Sequence, residues 1–113
     1  MHPSEDLPQA AVVTATPAVD RAADAALVAR ALAGEAGAFA AIMRRHNRLM
    51  FRAARGVVHD DAEAQDVVQE AYLRAFTRLR AFRGDAALGT WLARICLRTA
   101  LDVLRRRARS VAI

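Results

Sequence analysis

From about residue 24 onward, apolar residues recur every three or four positions, the spacing of one buried face of an α-helix. The first such stretch predicts a short helix over 24–33, with Leu27, Ala31 and Leu32 inward and Gly34 and Gly37 punctuating its end. The second, over 36–57, places Phe39, Ile42, Met43, His46, Met50, Ala53, Ala54 and Val57 on one face. Arg44, Arg45, Arg48, Arg52 and Arg55 fill much of the rest of that helix. His46 lies on the apolar stripe and reads as a partly buried structural histidine rather than a ligand. A third helix opens at His59-Asp60-Asp61-Ala62-Glu63, where Asp60 can cap and Glu63 completes a capping-box spacing. It is expected to reach about residue 82, burying Val68, Tyr72, Ala75, Phe76 and Leu79. Arg83 to Gly89 form a break, Thr90 is the expected N-cap, and a fourth helix runs from Trp91 to about Arg109 on a core face of Leu92, Ile95, Cys96, Thr99 and Val103.

No stretch alternates with period two over strand length, so no sheet is expected. The fold class predicted is all-α: a compact four-helix bundle-like domain over 23–110. Residues 1–22 hold all three prolines and show no helical face, which predicts a disordered N-terminal tail.

Composition limits the core. Of 113 residues, 55% are hydrophobic but only 5% aromatic, and alanine supplies much of the former. Alanine favours helix and close approach while burying little area, so a few Leu, Ile, Val, Phe and Met anchors must carry the packing. The length suits one domain. Formal net charge is +5, and all 17 basic residues are arginine. The guanidinium fork suits phosphates and base edges. A GC-rich genome would also favour arginine and alanine, so charge alone leaves a solvated surface and a nucleic-acid surface equally open.

The lone Cys96 excludes an internal disulfide and fits a reducing compartment. The first residues lack a basic start with an apolar run behind it, and nothing approaches the roughly 18 consecutive apolar residues of a membrane span. A cytoplasmic protein with no membrane association is expected.

There is no glycine-rich phosphate loop, no Cys/His ligand set and no recognisable serine, histidine and acid arrangement, so neither an enzyme nor a cofactor is expected. His59, Asp60, Asp61 and Glu63 have ligating side chains, but acids in a first helical turn are ordinary dipole partners, and no metal is expected. Two surfaces remain. On the third helix, Glu63, Asp66, Gln69, Glu70, Thr77 and Arg78 lie off the buried stripe. They fit a solvated face, which composition alone favours, or a docking face for a basic partner. On the fourth, Trp91, Arg94, Arg98, Asp102 and Arg105 stand 3, 4, 4 and 3 apart, with Arg106, Arg107 and Arg109 beyond. An amphipathic helix with its tryptophan in the core would explain them. A DNA contact explains them better, because charge, an aromatic ring and a glycine-bearing loop coincide.

The segment Asp61-Ala62-Glu63-Ala64-Gln65-Asp66-Val67-Val68-Gln69-Glu70-Ala71-Tyr72-Leu73-Arg74-Ala75-Phe76 resembles the part of bacterial sigma factors that grips the clamp helices of RNA polymerase. The resemblance is to the group called extracytoplasmic-function sigma factors. Phe82-Arg83-Gly84-Asp85, Thr90-Trp91-Leu92-Ala93-Arg94-Ile95 and Asp102-Val103-Leu104-Arg105-Arg106-Arg107 are similar to that group's promoter-melting loop and recognition helix, in the same order. The resemblance runs from about Asp24 to Arg109. It implies a transcription initiation domain that binds polymerase core, at the clamp of the largest subunit, through Asp66, Gln69, Glu70 and Arg74. It further implies minus-ten recognition and melting, chiefly on the non-template strand, through Arg83, Gly84, Asp85, Trp91, Arg94, Arg98 and Arg105. A melted base costs a few kcal/mol to unstack and must then be held in a pocket. An anti-sigma factor is a further implied partner.

Two departures stand out. The group usually carries asparagine where this sequence has Arg98. Its members also carry a second helical domain that reads an upstream promoter element; no segment here corresponds to it, which predicts a fragment or a single-domain form. The competing class is a helical repressor or protein-interaction module acting without polymerase. Such a repressor needs a recognition helix after a tight turn and usually a dimer face, whereas here a seven-residue loop precedes the arginine-rich helix.

Overall fold

Burial of a single carboxylate organises one end of the molecule. In the computed structural model, which describes residues 17–112, Asp24 is only 4% exposed. An unpaired buried carboxylate would be costly. Here Asp24 Oδ1 accepts from Arg45 Nε at 2.9 Å and lies 3.2 Å from His46 Nε2. Asp24 belongs to α1 (Ala18–Leu32), and its two partners to α2 (Ala38–Arg55). The histidine expected to be structural is therefore placed as such. Val28 is buried beside the carboxylate, Leu27 and Ala31 are half-buried, and Leu32, expected inward, is exposed.

Helix α1 also begins earlier than position 24. Pro17 is its N-cap, and the Pro17 carbonyl accepts from the amides of Asp20 and Arg21, both at 3.0 Å. Proline fits ahead of a first turn, where no amide partner is needed. Residues 18–22, assigned to the tail by sequence, are helical. They are held by polar contacts that an apolar periodicity cannot reveal: Asp20 lies 3.5 Å from Arg45, and Arg21 reaches Gly84. The rest of the expected tail, 1–16, lies outside the described residues.

Gly37, at φ +86°, supplies the left-handed turn into α2, a conformation that costs other residues strain. Helix α3 (Asp61–Thr77) opens as the spacing predicts, with Asp60 accepting the Glu63 amide at 2.9 Å. It stops short of residue 82. A 3₁₀ turn, Leu79–Ala81, follows and tucks Leu79 into the core. The buried positions of α3 are Ala64, Val67, Ala71, Tyr72 and Ala75; Val68 is half-buried, and Phe76, expected inside, is 57% exposed. Helix α4 (Leu88–Ala112) starts before Trp91. The Ala87 carbonyl accepts the Trp91 amide at 3.0 Å, so Thr90 sits inside the first turn and is not the cap. Burial of Ala87 and Leu88 draws this stretch into the core.

The core is an Ile42, Met50, Val67 and Leu92 cluster filled in by fully buried alanines at 54, 64, 71, 75 and 100. Those alanines let α2, α3 and α4 approach closely. Few large anchors remain, so each matters: truncating Leu92 to alanine should cost about 2–5 kcal/mol. Cys96 Sγ donates to the Met50 carbonyl at 3.3 Å, and Thr99 Oγ1 donates to the Ile95 carbonyl at 2.7 Å. The described residues contain four α-helices and no strand. None of these helices is long and apolar enough to cross a membrane.

Candidate functional site

The frame presents two surfaces of different chemistry. The first lies where α2 and α3 meet. Asp66, Gln69, Leu73 and Phe76 follow one another at spacings of three and four, and all four are exposed. Leu73, at 69% exposure, and Phe76 are large apolar side chains left in solvent. Phe76 stands edge-on to Phe39 of α2, ring centroids 5.2 Å apart, and Phe39 stands edge-on to Tyr72 at 6.1 Å. Between the helices a groove runs along Phe39, Met43, Gln69, Tyr72, Leu73 and Phe76 and continues past Asn47 and Phe51 to Gln65. Its floor is fixed by Tyr72, whose hydroxyl donates to Asn47 Oδ1 at 2.9 Å with the Met43 carbonyl at 3.3 Å. Burial pushes the Tyr72 phenol up to about 12, so it stays a neutral donor.

The other two residues predicted to face polymerase behave differently. Arg74 Nη2 donates to Glu70 at 2.7 Å and Arg74 Nη1 donates to Asp102 of α4 at 2.8 Å. Arg106 reaches Glu70 at 3.3 Å, Arg105 holds Asp102 at 2.9 Å, and Arg107 pairs with Glu63. Glu70 and Arg74 thus stitch α3 to the far half of α4, while Gln69 lines the groove and Asp66, one turn before it, is exposed and makes no ion pair among the described residues. The bond from Arg74, then that from Arg105, holds the Asp102 carboxyl below its ordinary value; the same bond to Asp102 raises Arg74.

The second surface is the loop after the 3₁₀ turn together with the outer strip of α4. Arg83, Gly84 and Asp85 are exposed. Gly84 turns the chain at φ +82°, where a side chain would be strained. Trp91 is half-buried against Phe82, centroids 5.3 Å apart, so its ring is braced without being lost in the core. Arg94 and Arg98 are exposed and lack an ion-pair partner among the described residues, whereas Arg105 of the same strip is held by Asp102. Leu97 and Leu101 are also exposed on α4, which gives this face an apolar component that the sequence reading missed. Also missed were Asp24, a carboxylate three and four positions before Leu27 and Val28 on the inward face of α1, Arg21 beside it, and the exposed pair Leu73 and Phe76. The signal for that pair was present: α3 carries apolar residues at 67, 68, 71, 72, 73, 75 and 76, more than one helical face can bury.

The model of the family described as Sigma-70 region 2 matches residues 42–110. The chain is 41% identical over 86 residues to the RNA polymerase sigma-H factor of Pseudomonas aeruginosa, covering 76% of this chain and 45% of that one. It is 42% identical over 83 residues to the ECF RNA polymerase sigma factor SigM of Mycobacterium tuberculosis, covering 74% and 42%. The ECF RNA polymerase sigma-E factor of Escherichia coli is 38% identical over 87 residues, covering 76% and 44%. In each case the match spans less than half the length of the relative.

Proposed function

Since the chain belongs to the Sigma-70 region 2 family, we propose that it docks on RNA polymerase core through the α2–α3 groove and opens promoter DNA along the loop and outer strip of α4. The observation that carries this reading is the exposure of Asp66, Gln69, Leu73 and Phe76 in one line beside an aromatic-lined groove. Such an apolar groove with one acidic rim fits a helical partner carrying basic residues, and the clamp helices of the largest polymerase subunit are the occupant proposed. Asp66 and Gln69 supply the polar contacts. Glu70 and Arg74 act from behind, fixing α3 against α4.

For DNA, Arg94 and Arg98 have guanidinium groups available for phosphates, and the braced Trp91 ring offers a face or edge to an unstacked base. The loop from Arg83 to Ala87, shorter than the Arg83–Gly89 break expected from sequence because α4 begins at Leu88, would hold that base, chiefly from the non-template strand of the minus-ten element. An anti-sigma protein covering either face would switch the activity off. The work proposed for this chain places it in the cytoplasm.

The test is retention of purified polymerase core on the immobilised chain, with Asp66→Arg as the disruptive variant. Asp66 makes no ion pair among the described residues, so its charge reversal should remove core binding and leave the circular dichroism spectrum unchanged. Equal retention of core by both proteins would sink the docking assignment.

A further inference from the structure

We propose that Arg21 of α1 is a positioning residue for the promoter loop, tying Gly84 to a base that the buried Asp24 holds rigid. The inference rests on the proposed role of that loop, and it concerns how the loop is held before DNA arrives. Arg21 Nη2 donates to the Gly84 carbonyl at 2.9 Å, across 63 residues of sequence. Gly84 is the residue whose left-handed backbone turns the loop, so the tie grips the loop at its bend. A small cavity of about 110 Å³ separates α1 from the loop, lined by Arg21, Asp24, Ala25, Phe82, Gly84 and Leu88 among others.

The support for the tie comes from one turn along α1. Asp24 joins α1 to Arg45 and His46 of α2. On its other side His46 Nδ1 meets Gly89, where an added Cβ would stand 3.2 Å away and only 3.1 Å from Leu49 Cδ2. The bend of the loop and the start of α4 that follows it are therefore referred to the same frame: Gly84 through Arg21, and Gly89 in the first turn of α4 through His46 and Asp24. A loop that must receive a flipped base gains affinity when its bound shape is already populated, because less ordering entropy is spent on binding. Arg21 is exposed and adds nothing to the core, so its removal should loosen the loop without loosening the bundle.

The experiment uses the full chain with Arg21→Ala and Arg21→Lys. Amide hydrogen exchange is followed across 83–89, and binding is measured to a labelled single-stranded 12-mer selected from a random pool by the wild-type chain. Arg21→Ala should speed exchange in the loop, weaken 12-mer binding by roughly tenfold and flatten base preference at one position. Melting temperature should be unchanged. Arg21→Lys, which keeps a donor, should recover most of the exchange protection and the base preference. Loop exchange in Arg21→Ala equal to wild type overturns the proposal, as does an unchanged base preference despite faster exchange. Failure of the wild-type chain to select any single strand would overturn the DNA role of the loop instead, and the exchange arm would still decide whether Arg21 holds it.

Discussion

Arg74 of α3 and Asp102 of α4 form a 2.8 Å charge-assisted hydrogen bond, and Arg74 binds Glu70 with its other terminal nitrogen. Asp102 is therefore occupied from two sides, by Arg74 and Arg105, and not by Arg98 one turn before it. The pairing makes Arg74 a stability residue. Arg74→Ala leaves Asp102 to Arg105 and Glu70 to Arg106, unlinks α3 from Asp102, and should lower stability by roughly 1 kcal/mol, after allowance for partial solvent screening. Thermal melts will check this; a variant as stable as wild type would show that the seam is held by packing alone.

The same contact sets a pH dependence. The folded Asp102 carboxyl lies below its ordinary value of 3.8, because Arg74 and Arg105 bond its charged form. Its contribution is thus fully present above the unfolded carboxylate range and is lost as pH falls through the lower, folded value. Melting temperature should drop on acidification below about pH 4, and Asp102→Asn should flatten part of that drop. Identical acid profiles for the two proteins would remove Asp102 from the account.

Arg98 is left to act outward. It is exposed and has no ion pair among the described residues, so Arg98→Ala should change stability by no more than about 0.5 kcal/mol. Single-strand binding should weaken, and its log–log salt dependence should shallow by about 0.7 if one phosphate contact is lost. Arg98→Asn should keep binding with an altered base preference. A large fall in melting temperature with unchanged DNA binding would make Arg98 a structural residue.

Phe76 offers the complementary test on the other face. Its ring is more exposed than buried and touches Phe39 edge-on, so Phe76→Ala should have little effect on melting. If the groove receives polymerase, the same change should weaken core binding by more than tenfold, as expected for a central aromatic anchor. Calorimetric or anisotropy titration with core enzyme will separate the two quantities.

Cys96 should be chemically quiet. Burial pushes its thiol up to about 11, so almost none is thiolate near neutrality. Alkylation at pH 8 should be slow in the native protein and fast in urea. Comparable rates in the two states would contradict the buried, hydrogen-bonded geometry.

Much of this molecule could be read from its chain. The 3.6-residue period found the four helices, the Asp60 cap followed from side-chain chemistry, and the Leu92, Ile95, Cys96 and Thr99 face followed from spacing. These are local properties, fixed by backbone hydrogen bonding and by which side of a helix is apolar. Tertiary structure decided the rest. The Pro17 start of α1 depends on Arg45 and Gly84, which are distant in sequence. Period counting could not say whether α3 would bury Phe76 or Val67, because the outcome depends on where α2 and α4 leave room. A carboxylate such as Asp24 reads as surface until a guanidinium and an imidazole from another helix meet it. Likewise Glu70, Arg74 and Asp102 read as three free charges on two helices, and only the packing of α3 on α4 turns them into one network.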